Sequence, residues 1–296
     1  MTGYPIAPEL RRYCLRMPFS PAILRAARLP MRMMYALTRI PHGVSHRVGR
    51  THGLQLDIFE PKTADEHTLC LLYMHGGGFG YRAAPYHKRL AAVYAQRTGC
   101  RVICPDYRLT PRYPFPAARE DCLAAFDAVR RNYTDAAIAV GGDSAGAVLA
   151  ADVVRGRQDA GIAFQLLVYP VCDAAQSTAS MAEFTDTPLW DPVNNAEMWR
   201  LYLKNTGNGD SADASPMSAP LPDVIPDAYI ELAEFDCLRD EGAAYAARLA
   251  AAGADVTLNR TRGTFHGYDI AQHARVTREN VARRVDFIKK HTKKGS

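Results

Sequence analysis

Gly142-Asp143-Ser144-Ala145-Gly146 follows a short apolar run, Ala136 to Val140, and opens an Ala-rich stretch of helical composition. Read as strand, sharp turn and helix, this G-x-S-x-G element sets a serine hydroxyl on a strained backbone corner. The flanking glycines remove the side chains that would collide there. Ser144 is therefore a candidate nucleophile, its bland competitor being a turn serine at a Gly/Ala-rich helix start. The pentapeptide alone is a weak signal. It gains weight from His75-Gly76-Gly77-Gly78-Phe79, which follows a second apolar run, Leu69 to Met74. A glycine loop at a strand end lets backbone N–H groups converge on a developing oxyanion. His75 belongs to that loop and is read as a structural hydrogen-bonder of it rather than as a base.

Outward from these two motifs, short β-rich runs alternate with helical stretches from about Val48 to the C-terminus, the pattern of a mostly parallel, doubly wound sheet. A hairpin starts it, His46 to Arg50 and Leu54 to Phe59 around Thr51-His52-Gly53. Then come the strand at Leu69, a helix over Tyr86 to Arg97, a strand over Arg101 to Cys104 and a helix over Ala117 to Asn132. The strand Ala136 to Val140 leads into Ser144, and Phe164 to Tyr169 is the next buried strand. Regular alternation resumes with Tyr229 to Ala233, a helix over Arg239 to Ala252, the strand Val256 to Asn259 and a last helix over Val276 to Lys289. Between Asp173 and Asp227 the rhythm fails. Six prolines punctuate a short helical stretch at Asn194 to Leu203, and an insertion of that length inside a compact fold is expected to cover a site. The first 45 residues are helical in patches and rich in Met and Leu.

Composition narrows the function classes. The 296 residues are 48% hydrophobic, enough for a substantial core, and 36 basic against 31 acidic side chains leave a modest excess that implies no nucleic acid partner. Lys289, Lys290, Lys293 and Lys294 concentrate part of that excess in what reads as a solvated tail. Seven scattered cysteines argue against a disulfide framework and for a reducing compartment; without matching His/Cys pairs no metal is expected. Arginines at 11, 12, 16, 25, 28 and 32 interrupt the N-terminal apolar stretches, and no apolar run reaches 18 residues, so a cytoplasmic protein without membrane association is expected.

A serine nucleophile needs a base within hydrogen-bond reach and an acid to orient that base. Asp236 stands just beyond the strand Tyr229 to Ala233, and His266 follows the strand Val256 to Asn259 in Phe265-His266-Gly267. Asp236 competes with Glu234 and Asp240, the latter suited to the start of the next helix. His266 competes with His42, His46, His52 and His67, read as loop or surface residues, and with His87 and His273, read as helical.

Taken together, His75 to Phe79, Asp106-Tyr107-Arg108-Leu109 with Pro114-Phe115-Pro116-Ala117-Ala118, Gly142 to Gly146, Asp236-Cys237-Leu238-Arg239-Asp240 and Phe265-His266-Gly267 cover nearly the whole chain. In these motifs the sequence resembles the hormone-sensitive-lipase-like (bacterial family IV) esterases of the α/β-hydrolase superfamily. The resemblance implies an α/β-hydrolase fold, a mostly parallel central sheet flanked by helices, with a helical cap. Residues 46–173 and 226–296 would form the catalytic domain, and residues 1–45 and 174–225 the cap. It implies Ser144, His266 and Asp236 as the catalytic triad, with Asp236 as the first residue of a D-x-L-x-D element. Gly76, Gly77 and Ala145 would supply the oxyanion hole. Two positions depart from the family pattern: Ala147 replaces a usual glycine, and Cys237 a usual proline. Phe79, Phe184, Leu189, Trp190, Trp199 and Tyr202 are candidates for the substrate pocket or equally for cap core.

The expected activity is cofactor-free hydrolysis of small carboxylic esters, acetyl esters among them, with acyl chains of about two to six carbons under the cap. An amidase or deacetylase with the same triad, acting on an N-acyl aryl amine or an acetylated sugar, is the related alternative. A ligand-binding protein on the same scaffold, as in plant gibberellin receptors that lack the triad histidine, is the alternative from another class. A homodimer paired through Val256 to Asn259 is the expected assembly.

Overall fold

The computed structural model describes residues 3–206 and 210–292. Lys293 and Lys294 of the basic tail lie outside the described residues, as do residues 1–2 and 207–209 of the two expected cap segments.

Eight strands form one sheet in the order β1-β2-β4-β3-β5-β6-β7-β8. β1 (Val44–Thr51) and β2 (Leu54–Pro61) make the expected hairpin. Thr51 pairs with Leu54, so the turn is the two residues His52 and Gly53, both at positive φ, the twist a two-residue hairpin requires. β2 runs antiparallel to β4 (Arg101–Pro105). From there every pairing is parallel, through β3 (Cys70–Met74), β5 (Ile138–Asp143), β6 (Phe164–Val168), β7 (Asp227–Leu232) and β8 (Val256–Arg260). β3, β5 and β6 are buried along their whole length, so helices must cover both faces, and their near-continuous apolar sequences reflect it.

The helices are α1 (Pro21–Leu37), α2 (Pro85–Thr98), α3 (Ala117–Asn132), α4 (Ala145–Gly156), α5 (Ala179–Glu183), α6 (Pro192–Tyr202), α7 (Asp210–Asp213), α8 (Arg239–Ala251) and α9 (Arg275–Thr292). α2 packs with α9 and α3 with α4, while α8 lies on β7 and β8. The N-terminal helical patches are a 3-10 turn over Pro8–Tyr13 and the 17-residue α1, which is capped by Ser20 and started by Pro21 and which Pro30 does not end. Two expectations need correction. β5 starts two residues later than expected and extends to Asp143, so the strand delivers its register to the residue before Ser144. His46 is on β1, stacked on Phe59 at 4.7 Å, and His273 sits in the turn before α9 rather than on a helix, whereas His87 is on α2.

The N-terminal segment and the long insertion are joined side by side. Asn194, near the start of α6, accepts from the Phe19 N–H at 3.0 Å and donates to the Met17 carbonyl at 2.9 Å, and Leu189 N–H donates to Leu15 at 2.8 Å. Phe19 meets Trp190 edge-on at 5.4 Å. The far end of the insertion is tied to the body: Arg119 and Arg155 hold Asp213, and Arg248 of α8 donates to the carbonyls of Pro216, Met217 and Ala219.

Candidate active site

The loops that bear the glycine motif, Ser144, Asp236 and His266 leave the carboxyl ends of parallel strands of the one sheet, β3, β5, β7 and β8, which is where an open α/β sheet builds its sites. Ser144 leaves β5 at φ 55° and ψ −122°, a conformation sparsely populated for any residue with a side chain. The corner is locked. Ser144 N–H donates to Val168 of β6 at 2.9 Å, and a Cβ on Gly146 would stand 2.1 Å from the Met74 carbonyl oxygen. Glycine is thus required on the helical side because α4 starts against the end of β3.

The three residues separated in sequence meet here. Ser144 Oγ lies 2.8 Å from His266 Nε2, and His266 Nδ1 lies 2.8 Å from Asp236 Oδ2. The carboxylate can only accept, so Nδ1 carries the proton and Nε2 accepts from the serine hydroxyl. Asp236 Oδ1 accepts from the Leu238 N–H at 2.9 Å, which fixes the carboxylate, and the acid is 1% exposed. Its competitors are engaged elsewhere: Glu234 accepts from Gly263 N–H at 2.6 Å, and Asp240 from Ser180 N–H at 2.9 Å.

The glycine loop folds back as a tight turn in which the Gly77 carbonyl accepts from Gly80 at 3.0 Å and Tyr81 at 2.8 Å. The N–H groups of Gly76 and Gly77 find no protein acceptor among the described residues, and that of Ala145, first residue of α4, has no partner within the helix. All three residues border the Ser144 corner or its cavity. His75 behaves as the structural group expected. Its Nδ1 donates to Gly76 O at 2.6 Å, its ring stacks on Tyr107 at 4.5 Å, and Tyr107 donates to its carbonyl at 2.6 Å. Its Nε2 is buried without a partner among the described residues, and burial, reinforced by nearby His87, lowers the imidazole to about 3.

A cavity of about 120 Å³ opens on Ser144 and His266, walled by Leu189 and Trp190 from the insertion and by Met17 and Met31 from the N-terminal segment. Of the six substrate-pocket candidates, only Leu189 and Trp190 line it. Phe79, Trp199 and Tyr202 do not, because Phe79 turns its ring away at φ 56° and stacks on Tyr202 at 3.7 Å with Trp199 alongside. Phe184 packs on Tyr4 and Phe235, also away from the serine.

Several groups escape sequence reasoning. Asp143, the residue before the serine, is buried and bonded to Tyr73 and His87, each at 3.1 Å. Burial alone would raise its carboxyl, but the His87 imidazole and the Tyr73 hydroxyl hold it below the usual aspartate range. A Cβ on Gly76 would stand 2.3 Å from its Oδ2, so this side chain braces the underside of the glycine loop. Tyr169 meets the His266 ring edge-on at 4.9 Å and donates to Asp269 at 2.9 Å. Asp269 in turn accepts from the fully buried Arg284, 2.7 Å away, which also pairs with Glu231. The one available signal was the place of Tyr169 at the carboxyl end of β6.

Among the described residues no three His, Cys, Asp or Glu side chains gather to hold a metal ion, and no helix is long and apolar enough to cross a membrane. All seven cysteines are free.

The chain belongs to the α/β-hydrolase fold family, whose model matches residues 71–270. This agrees with the resemblance to the hormone-sensitive-lipase-like members read from the motifs. Esterase LipI of Mycobacterium tuberculosis is 37% identical over 207 residues, covering 67% of this chain and 65% of LipI. Carboxylesterase NlhH of the same organism is 33% identical over 223 residues, 71% of this chain and 70% of NlhH. Among solved structures, esterase LipW of Mycobacterium marinum superposes with a TM-score of 0.85 at 28% identity, covering 97% of this chain and 96% of LipW.

Proposed function

We propose that the protein is a serine carboxylesterase that cleaves short-chain acyl esters of small molecules. The observation that carries this reading is the unbroken hydrogen-bonded line from Ser144 Oγ through His266 to Asp236, beside backbone N–H groups with no protein acceptor. Ser144 attacks the ester carbonyl as His266 Nε2 takes its proton, and Asp236 holds the ring and stabilises the imidazolium. Gly76, Gly77 and Ala145 donate to the oxyanion, each well-placed donor contributing about 3 kcal/mol to the transition state. The imidazolium then protonates the leaving alcohol, and water, activated by the same nitrogen, frees the acyl-enzyme.

In this reading residues 1–45 and 174–225 act as a cap over the catalytic domain, and the wall of Met17, Met31, Leu189 and Trp190 bounds the acyl group. The free cysteines suit a cytoplasmic setting. β8 at the sheet edge pairs with its copy in a homodimer, a step that light scattering checks by mass.

The test is Ser144→Ala assayed with p-nitrophenyl butyrate, for which kcat should fall about 10⁴-fold or more while circular dichroism is unchanged. Retention of a tenth of the activity by a folded variant would remove Ser144 from the mechanism. Absence of turnover in the unaltered protein, over a panel of esters, aryl amides and acetylated sugars, would favour a ligand-binding role.

A further inference from the structure

A second cavity, about 740 Å³, adjoins the catalytic one, and Met31, Tyr81 and Arg82 line both. Its walls are unusual in charge. Arg25 and Arg28 reach it from one face of α1, Arg108 and Arg112 from the loop after β4, and Arg200 and Lys204 from the end of α6. With Arg82 these make seven cations, and among the described residues Asp106 is the single lining carboxylate.

Some of these charges are already matched. Arg82 pairs with Asp106, whose carboxyl burial pushes above the usual range despite that partner. Arg108 is held by Glu120 and Asp121 at 2.9 Å, and Arg200 by Glu197 at 2.6 Å. Arg112 rests on the Tyr113 ring at 5.2 Å. Arg25, Arg28 and Lys204 have no carboxylate within ion-pair distance among the described residues. Cations left unmatched around a concavity that also has apolar wall, here Leu24, Leu109 and Leu201, focus a positive potential into it and raise the local concentration of anions.

We propose that this groove receives an oxyanion, phosphate or carboxylate, carried on an arm of the ester whose carbonyl sits at Ser144, so that anionic esters are preferred to neutral ones. The proposal rests on the esterase reading for the chemistry and on the groove for the selectivity. Arginine forks bind carboxylate or phosphate oxygens two at a time, and the three side chains shared by the two cavities are the boundary the arm would cross.

The experiment compares p-nitrophenyl butyrate with the p-nitrophenyl monoester of glutaric acid, a carboxylate on the acyl arm, and with a butyryl ester of a phosphate-bearing phenol, a phosphate on the alcohol arm. Each is assayed with the unaltered protein and with Arg25→Gln/Arg28→Gln/Lys204→Gln, whose side chains hold no carboxylate partner among the described residues. For at least one anionic ester the triple substitution should raise KM about ten-fold at constant kcat, the mark of lost ground-state binding, while the neutral ester is unmoved. Which ester responds names the anion and its arm. Raising salt from about 0.05 M to about 0.5 M should erase the anionic preference of the unaltered protein. An equal response of all three esters to substitution and to salt overturns the proposal and leaves the esterase reading standing. If no ester is turned over, the esterase reading fails, and calorimetric titration with inorganic tripolyphosphate decides the groove alone. Binding that weakens about ten-fold in the triple variant supports it, and absence of binding refutes it.

Discussion

His75→Asn should flatten the acid limb of the stability curve. In the folded protein the imidazole is sealed under Tyr107 with Nδ1 committed to Gly76 O and no acceptor for a proton on Nε2; burial, with His87 adding to it, brings its pKa from 6.5 to about 3. The unfolded chain takes up a proton below 6.5 and the folded one does not until about 3, so stability is complete above 6.5 and is lost as pH falls through that window. Each pH unit is worth about 1.4 kcal/mol, so lowering the pH from about 6.5 to about 4.5 removes about 3 kcal/mol through this one group. For a chain of this size that is about 5 °C in Tm. The asparagine variant loses the stack on Tyr107, a penalty that is the same at both pH values and cancels when the drop in Tm from pH 7 to pH 4.5 is compared between the two proteins. Thermal melts at those two values suffice. Parallel drops would refute the reasoning, because His75 would then exchange protons equally in both states.

Other perturbations test separate parts of the structure. Arg284→Met leaves Glu231 and Asp269 buried without their cation and should cost about 3 to 5 kcal/mol, read as a lowered denaturation midpoint. A midpoint unchanged or raised would mean that the cluster is dispensable to the core. Gly146→Ala drives a methyl group to 2.1 Å from the Met74 carbonyl oxygen and should cost at least about 3 kcal/mol or prevent soluble expression; a variant with normal Tm and activity would contradict the packing of α4 on β3. The cavity at Ser144 is small, about 120 Å³, so kcat/KM over p-nitrophenyl esters should peak at short acyl chains, of about two to six carbons. Equal rates on sixteen-carbon esters would mean that the wall of Leu189 and Trp190 does not limit the chain.

The elements that build the site were legible because each announces itself locally. Ser144 sits between a strand and a helix that glycines force together, and Asp236 and His266 each follow an apolar run at a strand's carboxyl end. The pocket was less legible because aromatic composition marks apolar surface without saying which surface it faces. Phe79 adjoins the glycine loop in sequence, yet one left-handed residue turns it onto Tyr202, while the quieter Met17 and Met31 reach the cavity. Arg284, in the basic last helix, is fully buried, and nothing local in the sequence shows it, since its partners come from β7 and from the turn after His266. The cavity lined by Arg25, Arg28 and Lys204 was equally hidden: its seven cations are dispersed over four segments, and only the folded chain gathers them around one concavity.

The attachment of the N-terminal segment at Asn194 has a bearing on how the protein comes apart. Around Leu15 the segment is held by scattered bonds, from Asn194 to Phe19 and Met17, from Leu189 to Leu15 and from the Tyr81 hydroxyl to Pro18, and not by a ladder of backbone bonds such as joins the sheet. Such a seam opens as a unit, at a free energy below that of global unfolding. Proteolytic nicking should therefore begin near Leu15, which is half exposed, and leave a folded body whose serine stands open to solvent. The wall contributed by Met17 would be lost with the strip, so the first part of the chain to be digested is also the part that makes the catalytic cavity small.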